Sequence, residues 1–260
     1  MYIIRKKTSN GIRHQINFKK FLLSKSSNIV KQLAVGKKGF FGRGRGRITI
    51  GHKGGGHKKK YNSINSSISN NVSLIISHFY DSRRSSFFSL CYNLLSSKFF
   101  KIPTITNSYP GSFTFSYKTL PELKIGSFIS LKSVPTGSII NNLSNMKELK
   151  YIKSAGTFGI LVQKGLNNCK IKLPSGELKI FPDNFFCFIG SNSNSLHNTL
   201  VLGKAGRARL NGKRPHVRGV AMNPVDHPHG GQTSGGRPSV TPWGLPTKGK
   251  PTRKKKYGKI

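Results

Sequence analysis

The feature that most constrains this chain is its excess of positive charge. Its 260 residues include 45 lysines and arginines against 6 aspartates and glutamates, which gives a formal net charge of +39. A compact chain with so many like charges repels itself unless a polyanion neutralises them. The charge therefore predicts a nucleic-acid partner and argues against an ordinary soluble enzyme.

The positive charge is concentrated at the two ends of the sequence. Residues 1–60 contain 17 lysines and arginines and no acid, residues 201–260 contain 14 and one acid, and residues 61–200 contain 14 and five acids. Like-charged ends rich in glycine and proline bury too little apolar surface to fold alone. We expect two basic extensions that a bound partner orders, on either side of a folded centre.

The centre of the sequence predicts short β-strands with turns between them. Alternating or continuous apolar residues mark the strand candidates, which are residues 72–80, 85–92, 113–117, 123–131, 157–162, 169–173 and 178–181. The last two form a hairpin pattern, and we expect its lysines to share one face. Several strands at such spacing indicate small β-barrels, of which the oligonucleotide-binding fold is one.

Features that the sequence lacks argue against several classes of protein. Cys91, Cys169 and Cys187 are widely spaced and odd in number, so we expect neither a disulfide framework nor a zinc knuckle. No apolar run approaches the ~18 to 20 residues that span a bilayer, so no membrane partner is expected. The start shows no signal-peptide or obvious transit-peptide pattern, and we expect synthesis in the compartment where the protein works.

Two glycine-rich basic segments carry the strongest nucleic-acid signal. Residues 36–60 interleave glycine with arginine, lysine and histidine, and residues 201–218 place a basic group every two to four positions. Glycine lets the backbone approach phosphates closely, and arginine supplies a forked pair of donors that fits phosphate oxygens. A helix is conceivable only at residues 204–210, because Gly212 and Pro215 break it, and an irregular chain fitted into grooves is the expected form.

A third motif, residues 219–231, contains Asp226, His227 and His229. This cluster suggests a general base oriented by a carboxylate, or a metal pair. However, Asp226 and His227 are adjacent, Pro228 extends the chain, and no third ligand follows nearby. We therefore expect no catalytic residue, no metal site and no cofactor.

The same motif resembles a known family. Residues 218–231, 240–244 and 247–253 resemble universal large-subunit ribosomal protein two of the bacterial and organellar type. Residues 46–58, 153–157 and 201–206 resemble its N-terminal RNA loop, its mid-domain turn and its C-terminal entry, in family order. Residues 62–107 depart from the family, because they are rich in Ser, Asn and Phe and lack most of its charges. After Gly231, Gln232-Thr-Ser replaces the family's next glycine and acid.

The resemblance implies an all-β fold, with an oligonucleotide-type barrel followed by an SH3-like barrel and long basic irregular N- and C-terminal extensions. The expected division is an RNA-binding extension at residues 1–60, the first barrel at 61–129, the second at 130–200, and an extension threaded into ribosomal RNA at 201–260. The implied function is structural, beside the peptidyl transferase centre, with support for subunit association and transfer-RNA positioning. The implied partners are large-subunit ribosomal RNA and other ribosomal proteins, and no free homo-oligomer is expected.

Specific residues follow from these motifs. The expected RNA-binding residues are Arg43, Arg45, Arg47, His52, Lys53, His57, Lys58, Lys204, Arg207, Arg209, Lys213, Arg214, Arg218, Lys248 and Arg253. The loop nearest the peptidyl transferase centre is expected to present Asn223, Asp226, His227 and His229.

Two other functional classes fit the sequence less well. A chromatin-like protein that compacts DNA would suit the basic ends but needs neither hairpins nor the histidine loop. A deaminase or nuclease would need a Cys/His metal set or paired carboxylates, which six scattered acids hardly supply. A composition rich in Asn, Phe, Lys, Ile and Ser favours an AT-rich genome, and we expect a mitochondrial ribosome, with a plastid or a bacterial cytoplasm as the alternatives.

Overall fold

The computed structural model describes residues 2–18, 23–25, 27–37, 42–44, 46–64, 71–117, 124–145, 148–232 and 238–249. They form two compact units. The larger contains residues 1–40 and 57–208, and the smaller contains residues 41–56 and 209–260. The chain re-enters the smaller unit at Arg209, one of the expected RNA-binding residues. Both basic ends therefore contribute residues to the smaller unit.

The described elements are mostly strands. They are β1 (Tyr2–Ile4), β2 (Ile16–Phe18), β3 (Ala34–Lys37), β4 (Arg43–Gly44), β5 (Arg47–Ile48), β6 (Lys59–Asn62), β7 (Asn71–Phe79), β8 (Phe88–Asn93), β9 (Phe99–Pro103), β10 (Phe113–Ser116), β11 (Phe128–Ser130), β12 (Ile139–Ser144), β13 (Leu149–Tyr151), β14 (Gly159–Lys164), β15 (Asn168–Lys172), β16 (Leu178–Pro182) and β17 (Phe186–Ile189). The helices α1 (Asn28–Gln32) and α2 (Ala205–Leu210) are short, and 3-10 turns cover Leu131–Ser133, Ser195–Thr199 and Gly219–Ala221. This is the all-β, barrel-type fold that the sequence predicted.

One long sheet organises the larger unit. Its hydrogen-bonded order is β16-β15-β14-β12-β17-β11-β10-β7-β8-β9, and β13 pairs with β12. The strands β7 to β10 and the strands β12 to β17 form two groups that are consecutive in sequence, and β11 joins them. It runs parallel to β10 at Ser116↔Phe128 and antiparallel to β17. The boundary expected at residues 129 and 130 thus falls within β11, and the four-part division stays a prediction.

Each strand group has its own apolar core. In the second group, Ile129, Leu131, Ile140, Leu143 and Leu161 are fully buried. A first-group cluster contains Ile75, Cys91 and Ile102 and also includes Phe186 and Phe188 of β17. The two groups therefore share apolar side chains, because β17 contributes to both clusters.

Most of the expected strands are confirmed. The hairpins of residues 72–92 and 169–181 appear as β7–β8 and β15–β16, and residues 113–116 form β10. The strand expected at residues 123–131 is shorter, because only Phe128–Ser130 is extended and a turn with Gly126 at φ +88° precedes it. Residue 123 lies outside the described residues.

The prediction that the lysines of the β15–β16 hairpin share one face is wrong. Lys170 and Lys172 lie opposite Ile180 and Leu178, whereas Lys179 lies opposite Ile171. Side chains of directly opposed residues share a face, so Lys179 lies on the other side of the sheet, where its Nζ donates to Tyr151 Oη at 3.1 Å. The cause is the three-residue turn between Leu173 and Glu177, which pairs even-numbered residues with even-numbered ones and odd with odd. Lys170 and Lys172 are even-numbered and Lys179 is odd-numbered, so they lie on opposite faces.

Part of the N-terminal basic segment is ordered by the protein itself. Helix α1 begins after Ser27, whose hydroxyl accepts from the Val30 amide at 3.3 Å. Val30 is buried in a cluster with Phe79, Phe88 and Leu90. Strand β3 pairs with β6 over four residues. Val30 thus anchors this basic stretch to an apolar cluster, which the composition alone did not indicate. In the described part of the chain, no helix is long and apolar enough to cross a membrane.

Candidate nucleic-acid interface

Within the first glycine-rich segment, residues 42–50 form a tight turn in the smaller unit. Strands β4 and β5 pair at Arg43↔Ile48 and Gly44↔Arg47. The carbonyl oxygen of Gly42 accepts from the amides of Thr49 and Ile50, at 2.6 and 3.0 Å. Gly42 has φ +66°, and a Cβ there would lie 2.6 Å from Ile50 O, so only glycine fits this closure.

The second half of this segment pairs with the C-terminal basic segment. The amide of Gly54 donates to Gly212 O at 3.1 Å, and the amide of Arg214 donates to His52 O at 2.8 Å. A Cβ on Gly56 would lie 3.0 Å from Gly212 N, so the two backbones approach as closely as glycine allows. Residues about 160 apart in sequence therefore form one structure, which we call the paired basic segments: residues 51–56 and 210–216.

Two histidines join the paired basic segments. His52 Nδ1 donates to Pro215 O at 3.0 Å, and its Nε2 is hydrogen-bonded to His216 Nδ1 at 2.6 Å. The two rings meet edge to face, with centroids 4.0 Å apart. One of the two facing nitrogens donates and the other accepts, so each ring fixes the orientation of the other.

The pairing concentrates positive charge in one place. Lys53 lies opposite Lys213 in an isolated antiparallel bridge, and Arg214 follows directly. All three side chains are exposed. Asp226 is the one acidic residue in the sequence of the smaller unit. Like charges held together without acids need anions from outside, and phosphate oxygens fit exposed lysine and arginine donors.

The loop at residues 219–231 folds around His227. The amides of Asp226 and His227 both donate to Asn223 O, so the backbone turns at this point. His227 is buried, and its Nδ1 accepts from the His229 amide at 3.0 Å. A Cβ on Gly219 would lie 2.5 Å from that same nitrogen, so the ring packs directly against glycine. His227 therefore supports the loop from inside.

The other three residues of the loop prediction are more accessible. Asn223 and Asp226 are exposed, and His229 is half-buried with its ring 4.6 Å from that of His227. His229 Nε2 lies 2.8 Å from Pro238 O and 3.3 Å from the Val240 amide. One nitrogen cannot donate to the first and accept from the second, and the shorter contact makes it a donor to Pro238 O. No hydrogen bond joins Asp226 to His227 in the described residues.

The remaining expected RNA-binding residues are distributed over both units. His57, Lys58, Lys204, Arg209, Arg218 and Lys248 are exposed. Arg207 is partly used within the protein, because its Nη1 donates to the carbonyl oxygens of Gly11 and Leu202, at 2.9 and 2.5 Å. The backbones of Arg43 and Arg47 lie in β4 and β5, whereas Arg45 and Arg253 lie outside the described residues.

Sequence reasoning missed two residues of this region. His216 was not singled out, although its ring contacts His52, and Pro215 supplies the carbonyl that fixes the His52 tautomer. Their signal is weak in sequence, because a histidine after proline is unremarkable until its distant partner is known.

The three cysteines are free and buried. Burial raises the pKa of Cys91 to about 12 and raises the pKa values of Cys169 and Cys187 as well. These thiols therefore stay protonated and act as apolar packing groups. Among the described residues, no group of three or more His, Cys, Asp or Glu side chains is arranged to hold a metal ion.

Comparison with known families gives two matches that together cover most of the chain. Residues 30–113 match the family model described as Ribosomal Proteins L2, RNA binding N-terminal domain. Residues 124–244 match the model described as Ribosomal Proteins L2, C-terminal domain. The second match includes the loop around His227 and the C-terminal member of the paired basic segments.

Individual relatives agree with the family models. Large ribosomal subunit protein uL2m of Reclinomonas americana is 43% identical over 265 aligned residues, which cover 98% of this chain and 95% of the relative. Large ribosomal subunit protein uL2 of Rickettsia felis is 44% identical over 219 residues, covering 82% of this chain and 80% of the relative. The same protein of Rickettsia canadensis is 43% identical over 225 residues, covering 81% and 79%.

Proposed function

This chain belongs to the L2 family of ribosomal proteins, and from that premise we propose how it binds ribosomal RNA. It is a structural constituent of the large ribosomal subunit, and its partners are large-subunit ribosomal RNA and other ribosomal proteins. The ribosome is mitochondrial, because the mitochondrial relative matches nearly the whole chain while the Rickettsia proteins match about four fifths of it. The chromatin-like alternative gains no support from these matches.

The observation that carries the binding proposal is the pairing of the two basic segments. Lys53, Lys213 and Arg214 are exposed side by side, on a backbone closed by glycines. RNA helices are recognised mainly through shape, phosphates and 2′-hydroxyl groups, which suits an irregular, glycine-rich surface. The paired basic segments bind phosphates from one compact region of the ribosomal RNA.

The glycines determine how close the RNA comes. Gly54, Gly55 and Gly56 all have positive φ values, of 159°, 64° and 96°. Gly54 and Gly56 are used in the pairing with residues 210–216, whereas Gly55 is exposed with open space where a Cβ would lie, so the backbone at Gly55 can approach a phosphate directly. The lysine and arginine side chains then bind neighbouring phosphates and add the charge that the backbone lacks.

We also propose a position and a role for the loop at residues 219–231. The loop at residues 219–231 lies beside the peptidyl transferase centre and fixes RNA geometry there, and the subunit's chemistry belongs to the RNA, so the chain itself is no enzyme. Supporting this, His227 Nδ1 already accepts from a backbone amide. Its Nε2 then carries the proton of the neutral ring, and that nitrogen can donate a hydrogen bond but cannot act as a base.

The division into four segments is part of the same proposal: extensions at residues 1–60 and 201–260, and barrels at 61–129 and 130–200. Support comes from the pairing of β7 to β10 with one another and of β12 to β17 with one another. The boundary between the barrels lies in β11, which pairs with a strand of each group.

Ultraviolet crosslinking of intact large subunits, followed by sequencing of the attached RNA, tests the binding proposal. We expect peptides from residues 51–56 and 210–216 to be crosslinked to nucleotides of one compact segment of large-subunit ribosomal RNA. Peptides from residues 165–167, which include the almost fully exposed Leu166, serve as a control for nonspecific contact. Crosslinks from the two basic segments to separate regions of the RNA, or to none, would refute shared binding.

A further inference from the structure

A cavity lies at one end of the apolar cluster in the first strand group. Its volume is about 410 Å³. Pockets that take small organic molecules measure roughly 300 to 1,000 Å³. Part of its lining is apolar and consists of the buried side chains Ile102, Phe128 and Phe188, which belong to the same cluster as Ile75 and Cys91. The cavity therefore has room for a flat ring and an apolar surface against which the ring can lie.

The polar part of the lining is a row of three side chains. Thr114, Ser73 and Asn93 lie directly opposite one another on β10, β7 and β8, so they share a face of the sheet. Ser73 alternates with Ile75, and Asn93 alternates with Cys91, so this is the face that carries the apolar cluster. Thr114 is 8% exposed, Ser73 3% and Asn93 5%. The apolar cluster thus ends in a buried polar row that lines the cavity.

Two side chains of this row have polar atoms that the protein leaves unused. Asn93 Oδ1 accepts from the amides two and three residues later, at 2.9 and 3.3 Å, which fixes the orientation of the side-chain amide. Asn93 Nδ2 and Ser73 Oγ have no hydrogen-bond partner among the described residues. Neither atom is sealed off from outside, unlike Ser127 Oγ and Ser144 Oγ, so both are reached from the cavity. Buried polar groups without a partner are costly, so these two atoms indicate a ligand that supplies one.

The chemistry of the cavity matches the edge and the face of a nucleobase. Asn93 Nδ2 is a donor, and Ser73 Oγ can donate or accept. Base edges carry carbonyl oxygens and ring nitrogens beside N–H groups, and asparagine and serine are among the side chains that bind such edges. The flat face of a base packs against aromatic side chains, which Phe128 and Phe188 supply.

We propose that this cavity binds one unpaired base of the large-subunit ribosomal RNA, with Asn93 and Ser73 on the edge of the base. Sequence-specific recognition of RNA commonly uses unstacked bases of loops and bulges, whose edges and faces are free to enter a protein pocket. An apolar side chain of a neighbouring protein is a poorer occupant, because it would leave both polar atoms without a partner. The inference rests on the proposed function only in that the chain binds ribosomal RNA. The cavity belongs to the larger unit, whereas the paired basic segments belong to the smaller one.

Asn93→Asp removes the donor and keeps the rest of the side chain's role. Aspartate has nearly the same volume and retains the oxygen that accepts from the two amides, but an acceptor replaces Nδ2. Asn167→Asp, at an exposed asparagine of the same unit, adds the same charge and is the matched control. Ser73→Ala is a second variant, which removes the hydroxyl group without adding a charge.

Chemical probing of intact large subunits identifies the base. Dimethyl sulfate and a carbodiimide modify the Watson–Crick edges of unpaired bases, and sequencing reads the modified positions. We expect a nucleotide that is protected in natural subunits to become about fivefold more reactive in Asn93→Asp, as loss of one hydrogen bond implies. The same nucleotide should gain reactivity in Ser73→Ala and stay protected in Asn167→Asp. The proposal is overturned if no nucleotide responds to both cavity variants and not to the control.

Crosslinking distinguishes RNA from protein as the occupant. Benzoylphenylalanine replaces Ser96, an exposed residue of the cavity lining, and in the control it replaces Ser175, which is exposed in the β15–β16 turn. We expect position 96 to capture the nucleotide that probing identifies, and position 175 not to capture it. Capture of a protein, or of nothing, at position 96 would contradict the proposal.

A salt titration keeps this site separate from the paired basic segments. The slope of log affinity for ribosomal RNA against log salt concentration reports neutralised phosphates. It should be equal in Asn93→Asp and Asn167→Asp, because a base-edge contact neutralises none. Failure of the cavity proposal therefore shows in the probing and crosslinking, whereas failure of the proposed function shows in the slope. A shallower slope in Asn93→Asp than in Asn167→Asp would mean that the cavity binds a phosphate and not a base.

Discussion

His78 is a neutral residue that depends on burial in the larger unit. Its Nε2 donates to Ser108 O at 3.0 Å, and its Nδ1 accepts from Ser89 Oγ at 2.8 Å. Ser89 Oγ also contacts Thr104 Oγ1 at 2.7 Å, which completes a chain of polar groups inside the first strand group. Burial lowers the pKa of His78 from its ordinary value of 6.5, and the bond to Ser108 opposes this only partly.

This histidine makes stability depend on pH. Between the lowered folded pKa and 6.5, the unfolded chain binds a proton that the folded chain does not, so stability falls as pH falls below 6.5. The slope from one group approaches about 1.4 kcal/mol per pH unit. Urea unfolding at several pH values from 7.5 downwards should show this loss for the natural chain and a smaller loss for His78→Gln. The exposed His14→Gln should behave like the natural chain, and an unchanged slope in His78→Gln would show that His78 is not responsible.

His227 is the residue where a structural role and a chemical role predict different results. The contact between its Nδ1 and the His229 amide indicates a structural role. His227→Gln can keep an acceptor near that amide but cannot titrate, whereas His227→Ala loses both the ring and the acceptor. We expect assembled subunits with Gln to retain most peptide-bond formation and its pH profile, and those with Ala to lose more. If Gln assembles normally yet loses activity as severely as Ala, with the pH dependence gone, His227 takes part in proton transfer, for which a loss of ~10² to 10⁴-fold is typical.

At the level of elements, α1 is attached to the sheet by an unusual buried cation. Lys101 Nζ donates to Val30 O at 3.1 Å and to Asn62 Oδ1 at 2.8 Å. It also lies 5.4 Å from the centre of the Phe88 ring. Burial lowers the pKa of Lys101, and nearby Asp81 partly restores it. One side chain thus joins α1, β6 and β9.

Removing this cation should release α1 from the sheet. Lys101→Met keeps the aliphatic stem and loses both hydrogen bonds, and we expect a loss of about 2 kcal/mol in the free energy of unfolding. Hydrogen exchange should also become faster in residues 28–37. Lys98→Met, in which the lost lysine is exposed on the neighbouring turn, is the matched control. Equal exchange rates in the two variants would mean that Lys101 does not hold the helix.

The elements also show which parts of the fold can be predicted from the sequence. The β7–β8 and β15–β16 hairpins follow from apolar alternation and from turn residues, which act locally. The position of Lys179 does not, because the side of a sheet depends on turn length as well as on alternation. The order in α1, β3 and β6 also went unforeseen, because Val30 packs against residues about 50 to 60 positions later.

At the scale of the whole molecule, charge identified the class of partner but not the arrangement of its donors. Glycine and arginine in residues 36–60 and 201–218 predicted phosphate binding by each segment separately. The contact between His52 and His216 shows that they act together in the smaller unit. No local pattern predicts a pairing across some 160 residues, because it depends on the folded chain between them.

We expect the paired basic segments to supply a defined share of the affinity for ribosomal RNA. Each phosphate neutralised adds about −0.7 to −0.9 to the slope of log affinity against log salt concentration. Replacing Lys53, Lys213 and Arg214 by Gln should therefore make that slope shallower by about 2 to 3. The control variant replaces the exposed Lys98, Lys132 and Lys150 by Gln and removes the same charge from the larger unit.

The decisive measurement is the salt titration of large-subunit ribosomal RNA binding by the full-length chain and these two variants. We expect a steep slope for the natural chain, a clearly shallower slope for the variant of the paired basic segments, and a nearly natural slope for the control. Equal slopes in the two variants would contradict this expectation, because binding would then depend on total charge and not on the place where the two segments meet.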